Sequence, residues 1–288
     1  MKRVGRNEIL NALHKKIANK DAIIFGSVGS GLTAKVEELA GIDAIICSSE
    51  GVFRMDGFSS SAALLANGDS NGMTLDLTVR VSKVVKATPV IAGIGVADPR
   101  RDIDMLIDHY VALGVSGITN YPGMGRLHGF YFSNMINKYG SGVTLERDYL
   151  RACADKGLFT VGMCYTEEEV APMVDCGVDA VVFDLGVTSG GMTGARNVPS
   201  MEQSCELIQK WNEIAYTANK NVITLCHGGP LESPKEVQSI FCETDVKGFM
   251  GGSSLERLPL EVSLRDELQE LLQIKTHQRN SGKEGCAV

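Results

Sequence analysis

No stretch of the 288-residue chain is apolar for long enough to cross a bilayer, and the opening MKRVGRNEILNALHKKI is charged and amphipathic where a secretory signal would be apolar. Basic blocks are missing as well. The 28 Lys and Arg stand against 35 Asp and Glu, a formal charge of −7, which speaks against nucleic acid as a partner. None of the eight Cys falls in a CxxC pair, and Cys47, Cys164 and Cys226 lie inside apolar runs. That is the usage of reduced thiols rather than of a disulfide framework or a zinc site. Cys286 sits one place too near the end for a prenylation box. These absences predict a cytoplasmic protein with no membrane and no nucleic-acid partner.

What is present is an alternation of strand and helix signals that no linker interrupts. After an opening helix through about residue 19, short apolar runs fall at residues 22–26, 44–48, 89–95, 117–120, 158–164, 180–185, 222–226 and 248–250. Each is followed by a loop and a helical pattern, as strands buried on both faces in a parallel sheet would be. The joints ELAGIDA, ALGVSG and DCGVDA repeat a helix C-cap before successive strands. With 44% hydrophobic residues the chain can bury a full core, and a single (β/α)8 TIM barrel of roughly 250 residues nearly uses it up. The expected fold is therefore α/β: one barrel domain over residues 1–277 with an N-terminal helix, and a loose, flexible tail over 278–288. A doubly wound open sheet is the alternative, since alternation alone does not separate the two. Two loops, 49–72 and 121–142, are long enough to suggest function.

In a barrel the chemistry gathers where strands end. The polar residues there are Glu50, Asp98, Asn120, Asp184 and His227, joined by Arg54 and Asp69 from the second loop. Arginine clamps a carboxylate or phosphate bidentately, carboxylates hold a cation or move a proton, and His227 can act as acid or base near neutral pH. NVITLCHGGP and KGFMGGSSLERLP, ending the seventh and eighth strands, expose the amides of Gly228, Gly229, Gly251, Gly252, Ser253 and Ser254 beside a helix start expected near Ser253. Such a cradle suits a phosphate. Plainer readings stand beside these. The glycine pairs serve equally as tight turns, Asp69 and Asp98 as turn or cap residues, and His227 as a structural histidine. GMGRLHG opens no helix directly, so no nucleotide-type organic cofactor is expected.

GSVGSGLTAK, GVFRMDGFSS, NGDSNG, PVIAGIGVADP, ITNYPGMG, GVTSGGMTGA, HGGP and GGSSLERLP, in this order from about Asn7 to Leu271, resemble the phosphoenolpyruvate hydrolase-like TIM-barrel family. The same family is labelled a predicted TIM-barrel signal-transduction group. The resemblance implies a small anionic substrate, phosphorylated or a 2-oxo acid, cleaved by a hydrolase or lyase, with Mg2+ as the metal that would serve it at Asp69 and Asp98. It also implies a homo-oligomer, and it places Gly26, Arg54, Asp69, Asp98, Asn120, Gly228, Gly229 and Gly251 to Ser254 in the pocket. In the leading scheme the last two loops hold phosphate, Arg54 and Asn120 orient the substrate, and His227, Asp98 and Glu50 carry the chemistry. Ser49, Val52 and Asp184 depart from the family pattern, which has Asn, Arg and His there. A non-catalytic ligand-binding or signalling barrel, or a scaffold for a protein partner, is the competing reading. The apolar stripe of LPLEVSLRDELQELLQI suits packing on its own barrel, the favoured reading, or on a second subunit.

Overall fold

Each of the eight apolar runs folds as a short strand, and all eight close on one another. The computed structural model describes residues 1–65, 68–127 and 135–276. The strands are β1 (Ile23–Val28), β2 (Ala44–Cys47), β3 (Val90–Gly93), β4 (Gly117–Thr119), β5 (Phe159–Cys164), β6 (Ala180–Asp184), β7 (Ile223–His227) and β8 (Gly248–Gly251). Every neighbouring pair is parallel, and β8 returns to β1 with Gly251 opposite Gly26. The structure is thus a closed (β/α)8 barrel, and the open-sheet alternative falls away.

Continuous apolar runs follow from burial on both faces. Phe25, Ile46, Ile91, Phe159, Val161, Val182, Leu225 and Met250 fill the barrel interior. Residues of opposite parity, such as Ile45, Cys47, Val90 and Val181, pack outward against the helices. The helices are α1 (Arg6–Asn19), α2 (Gly31–Ala40), α3 (Ser49–Met55), α4 (Ser70–Val84), α5 (Ile103–Ala112), α6 (Val143–Asp155), α7 (Glu167–Asp175), α8 (Met201–Ala218), α9 (Pro234–Glu243) and α10 (Arg257–Leu271). Helix α1 closes the N-terminal end of the cylinder, because its Ile9 and Leu13 join the interior cluster. Arg6 to Asp179 at 2.9 Å and Lys16 to Asp43 at 2.7 Å hold it there.

Three expectations change. The 49–72 stretch is not an open loop: α3 starts directly after β2, and a 3-10 turn follows at Ser60–Leu64. Seven residues show too little periodicity to announce a helix. The last helix begins at Arg257 rather than near Ser253, after a turn in which Gly252 O accepts the amides of Leu255 and Glu256. Finally, α10 does not pack along its own barrel. Arg257 is its one buried residue, while Leu260, Val262, Leu264, Leu268 and Leu271 are each about half exposed. The expected tail at 278–288 lies outside the described residues.

Candidate active site

Because α3 begins where β2 ends, Glu50 and Arg54 stand one turn apart on the same helix face, and both are buried at the C-terminal mouth. Arg54 Nε donates to Glu256 Oε2 at 2.8 Å, and Arg54 Nη2 donates to the Ser27 carbonyl. The other oxygen of Glu256 accepts from the Gly29 amide at 2.8 Å and from Thr33 Oγ1 at 2.5 Å. Glu256 thereby ties the turn after β8 to α3 by a buried ion pair and to the turn after β1 by hydrogen bonds. Behind β1, Glu37 of α2 has neither carboxyl oxygen hydrogen-bonded; burial, with the Glu256 carboxylate adding, pushes its pKa up to about 8.

Across the mouth, Arg126 from the 3-10 turn Met124–Arg126 reaches into the lumen. Its Nη1 is 3.1 Å from Glu50 Oε1, and its Nη2 donates to Asp184 Oδ2 at the end of β6. Both carboxylate side chains are fully buried. The guanidinium carbon stands 5.4 Å from the ring centroids of Tyr121 and of Tyr165, so the cation is held between two aromatic faces. Burial, partly offset by the Arg126 cation, pushes the Glu50 carboxyl up to about 7. Asp184 is the second anchor of Arg126.

His227 ends β7 inside this cluster. Its Nδ1 lies 2.7 Å from the Met250 carbonyl, which can only accept, so Nδ1 carries the proton. The lone pair on Nε2 then faces the Tyr121 hydroxyl at 3.5 Å. Burial lowers the histidine pKa and keeps the ring neutral. Arg54, Tyr121, Arg126, His227 and Ser253 line one cavity of about 10 Å³, which is roughly the space one water needs.

The remaining expected residues lie apart from this cavity or are already engaged. Asn120 accepts from the Met163 amide at 2.7 Å and donates to Glu146 Oε2 at 2.7 Å, which leaves its amide committed to joining β4 to β5 and α6. Gly26 faces outward, where a Cβ would stand 2.1 Å from Glu37 Oε2. Gly228 and Gly229 do sit beside Gly252 at the C-terminal end, but the Gly229 N–H donates to the Gly186 carbonyl at 3.0 Å. A Cβ on Gly228 would stand 1.9 Å from that same carbonyl, and one on Gly251 would meet Leu255. The cradle of bare amides is therefore corrected at Gly229, and those glycines serve close loop packing. Gly252 and Ser253 are the part that borders the cavity, with Arg54 Nη1 and His227 against Gly252. Ser254 Oγ is buried without a partner.

Asp69 and Asp98 do come together, but around an arginine. Arg101 Nη1 donates to Asp69 Oδ1 at 2.6 Å and to Asp98 Oδ2 at 2.8 Å; Asn71 and Arg100 complete the shell of Asp98 at 3.1 and 3.2 Å. The hydrogen bond from Arg101 lowers the Asp69 carboxyl. At Asp98, burial works against ionisation, yet the Arg100 amide, Arg101 and Asn71 outweigh it and hold the group well below the usual range. A guanidinium fills the position between the two carboxylates that Mg2+ would need, so this donor set does not fit the ion. Among the described residues, no group of three or more His, Cys, Asp or Glu could hold a metal.

Arg126, Tyr121 and Tyr165 are members of the cluster that the pattern of residues did not single out. Arg126 is the one arginine of the 121–142 stretch, which was the available signal.

Comparison with known proteins places this mouth in context. The crystal structure of phosphonopyruvate hydrolase in complex with oxalate and Mg++ superposes at TM-score 0.59 and 15% identity, covering 94% of this chain and 88% of that one. 2,3-Dimethylmalate lyase, a PEP mutase/isocitrate lyase superfamily member, superposes at 0.57 and 17%, covering 97% and 92%. At these identities the likeness is one of fold. In sequence, the ToMV susceptible protein tm-1(GCR26) of Solanum lycopersicum is 34% identical over 263 residues, 91% of this chain and 35% of that protein. A putative transcriptional regulatory protein, y4pA, of Sinorhizobium fredii is 26% identical over 276 residues, 96% of this chain and 45% of that protein. The chain thus spans less than half the length of these relatives. A family model described as phosphoenolpyruvate hydrolase-like matches residues 8–274, essentially the whole barrel from α1 through α10, and the chain belongs to that family.

Proposed function

We propose that the barrel is an enzyme that cleaves a small carboxylic acid of the 2-oxo or phosphorylated type, by hydrolysis or by lyase chemistry, at its C-terminal mouth. The observation that carries this reading is the convergence of two largely buried guanidinium groups, Arg54 and Arg126, on one cavity with His227 and Ser253. Arginine forks match the carboxylate of such an acid. His227 Nε2 takes the substrate proton, because Nδ1 is already committed to Met250. Glu50, shared between its two protonation states near pH 7, returns a proton to the leaving fragment. Ser253 and the Gly252 backbone offer donors for a phosphoryl or second carboxyl oxygen. The fold relatives support the reading, since one is a hydrolase crystallised with oxalate and another a lyase. Mg2+ has no step in this scheme, because Arg101 occupies Asp69 and Asp98.

The test is release of phosphate and of pyruvate from phosphoenolpyruvate and related 2-oxo and phosphonate acids, comparing wild type with His227→Gln and Glu50→Gln. Turnover by wild type that both variants lose is the expected result; turnover that survives both places the chemistry elsewhere. A second reading, a ligand-binding barrel without turnover, is favoured by the narrowness of the cavity and by the pairing of each arginine with a carboxylate. It predicts thermal stabilisation by several acids and product from none.

We also infer that α10 seats on a second copy of the chain. A helix of 15 residues with a single buried residue is marginal in water by itself, and its row of half-exposed leucines stands beside Met55 and Met192 in a groove of about 530 Å³.

A further inference from the structure

Two pairs of carboxylates at the C-terminal end of this barrel are each bridged by an arginine. Arg101 joins Asp69 to Asp98, and Arg126 joins Glu50 to Asp184. The second pair is the one inside the lumen. A divalent cation there would need those same two buried oxygens, together with several waters. The position is instead filled by Arg126 between Tyr121 and Tyr165, whose ring faces suit an organic cation. Arg126 also keeps one donor in reserve: its Nε is buried and has no hydrogen-bond partner, while Glu50 Oε2 is an equally buried acceptor without one. A second guanidinium, that of Arg54, borders the same cavity.

We propose that Arg126 is the fixed cation of this mouth and that it binds the carboxylate of a small planar acid directly, against Arg54, with no divalent metal. The proposal rests on the small-acid reading above and adds how the acid is held. With the present space at about 10 Å³, the acid seats by displacing the Glu50 carboxyl from Arg126 Nη1. The freed Nη1 then donates to one oxygen of the incoming carboxylate, and Arg54, which lines the same cavity, donates to the other. Asp184 stays on Nη2 and keeps the fork aimed.

The experiment uses oxalate as the probe, the smallest planar dicarboxylate able to touch both arginines. Its affinity is measured by calorimetry on the intact protein in EDTA and again in excess Mg2+, and Mn2+ binding is followed separately through the paramagnetic signal of the free ion. Equal oxalate affinity in the two buffers, within about twofold, with Mn2+ left free, is the expected outcome. Arg126→Lys keeps the charge but loses the planar donors that reach Asp184 and the acid at once, and should weaken oxalate by roughly tenfold or more. Oxalate that binds only with Mg2+, or Mn2+ taken up one per chain, overturns the proposal while leaving the small-acid reading intact. Oxalate that binds in neither buffer removes both. Should Arg126→Lys fail to fold, the wild-type comparison of the two buffers still decides.

Discussion

Replacing Glu37 with glutamine should make the protein more stable in alkaline solution, and the size of the gain can be worked out. Glu37 lies behind β1, buried, with neither carboxyl oxygen hydrogen-bonded and the Glu256 carboxylate nearby. Its pKa rises from 4.5 to about 8 on folding, so between those values the folded chain holds a proton that the unfolded chain releases. The stability this group contributes is complete below about pH 4.5 and is lost as pH rises toward about 8. At about 1.4 kcal/mol per pH unit, the gap amounts to about 5 kcal/mol as an upper bound. Glutamine has nearly the same shape and no charge to bury. Urea unfolding midpoints of wild type and Glu37→Gln should therefore nearly coincide at pH 5 and separate at pH 8.5, with the variant the more stable by a few kcal/mol. Glu50 and Glu146, both pushed up to about 7 by burial, add slopes of their own, but these cancel in the difference between the two proteins. Curves that run parallel across this range, or a variant weaker at pH 8.5, would mean that Glu37 is ionised and paired with Arg54, and the reasoning would be wrong.

Other expectations are simpler. Arg54→Ala leaves Glu256 charged, buried and without its cation, and should cost about 3 to 5 kcal/mol in chemical denaturation. His227→Gln can still donate to Met250 but lacks a basic ring nitrogen, so turnover should fall by about a hundredfold or more with little change in melting temperature. Gly228→Ala places a Cβ against the Gly186 carbonyl at φ +77°, and a loss of roughly 2 kcal/mol or more should appear as a lower melting temperature. Leu264→Glu on the exposed face of α10 should shift sedimentation toward a monomer without loss of helical circular dichroism. An unchanged sedimentation coefficient would show that α10 makes no subunit contact.

The fold was legible because strands buried on both faces must be apolar throughout, and eight such runs stand out from the amphipathic helices between them. Helix α8 is visible to the residue, since a capping box on Ser200 and Gln203 marks its start. The site was less legible for a definite reason. Position at a strand end singles out His227 and Asp184, but a residue's partner comes from a distant loop that carries no period. Arg126 meets Glu50 from 76 positions away, and Glu256 meets Arg54 from 202. Asp69 and Asp98 look like metal ligands for as long as Arg101 is out of view. The glycine pairs show the same limit, because a bare backbone signals a close approach without saying whether a ligand or another loop makes it.

One feature of the architecture sets a rule for traffic. Since Ile9 and Leu13 cork the far end of the cylinder, the interior has a single door. A small acid cleaved beside Arg126, as proposed, would have to leave by the side it entered, since Phe25, Ile46 and their neighbours fill the cylinder beneath it. Under that proposal the two fragments share one exit, and the one that lingers should compete with fresh substrate.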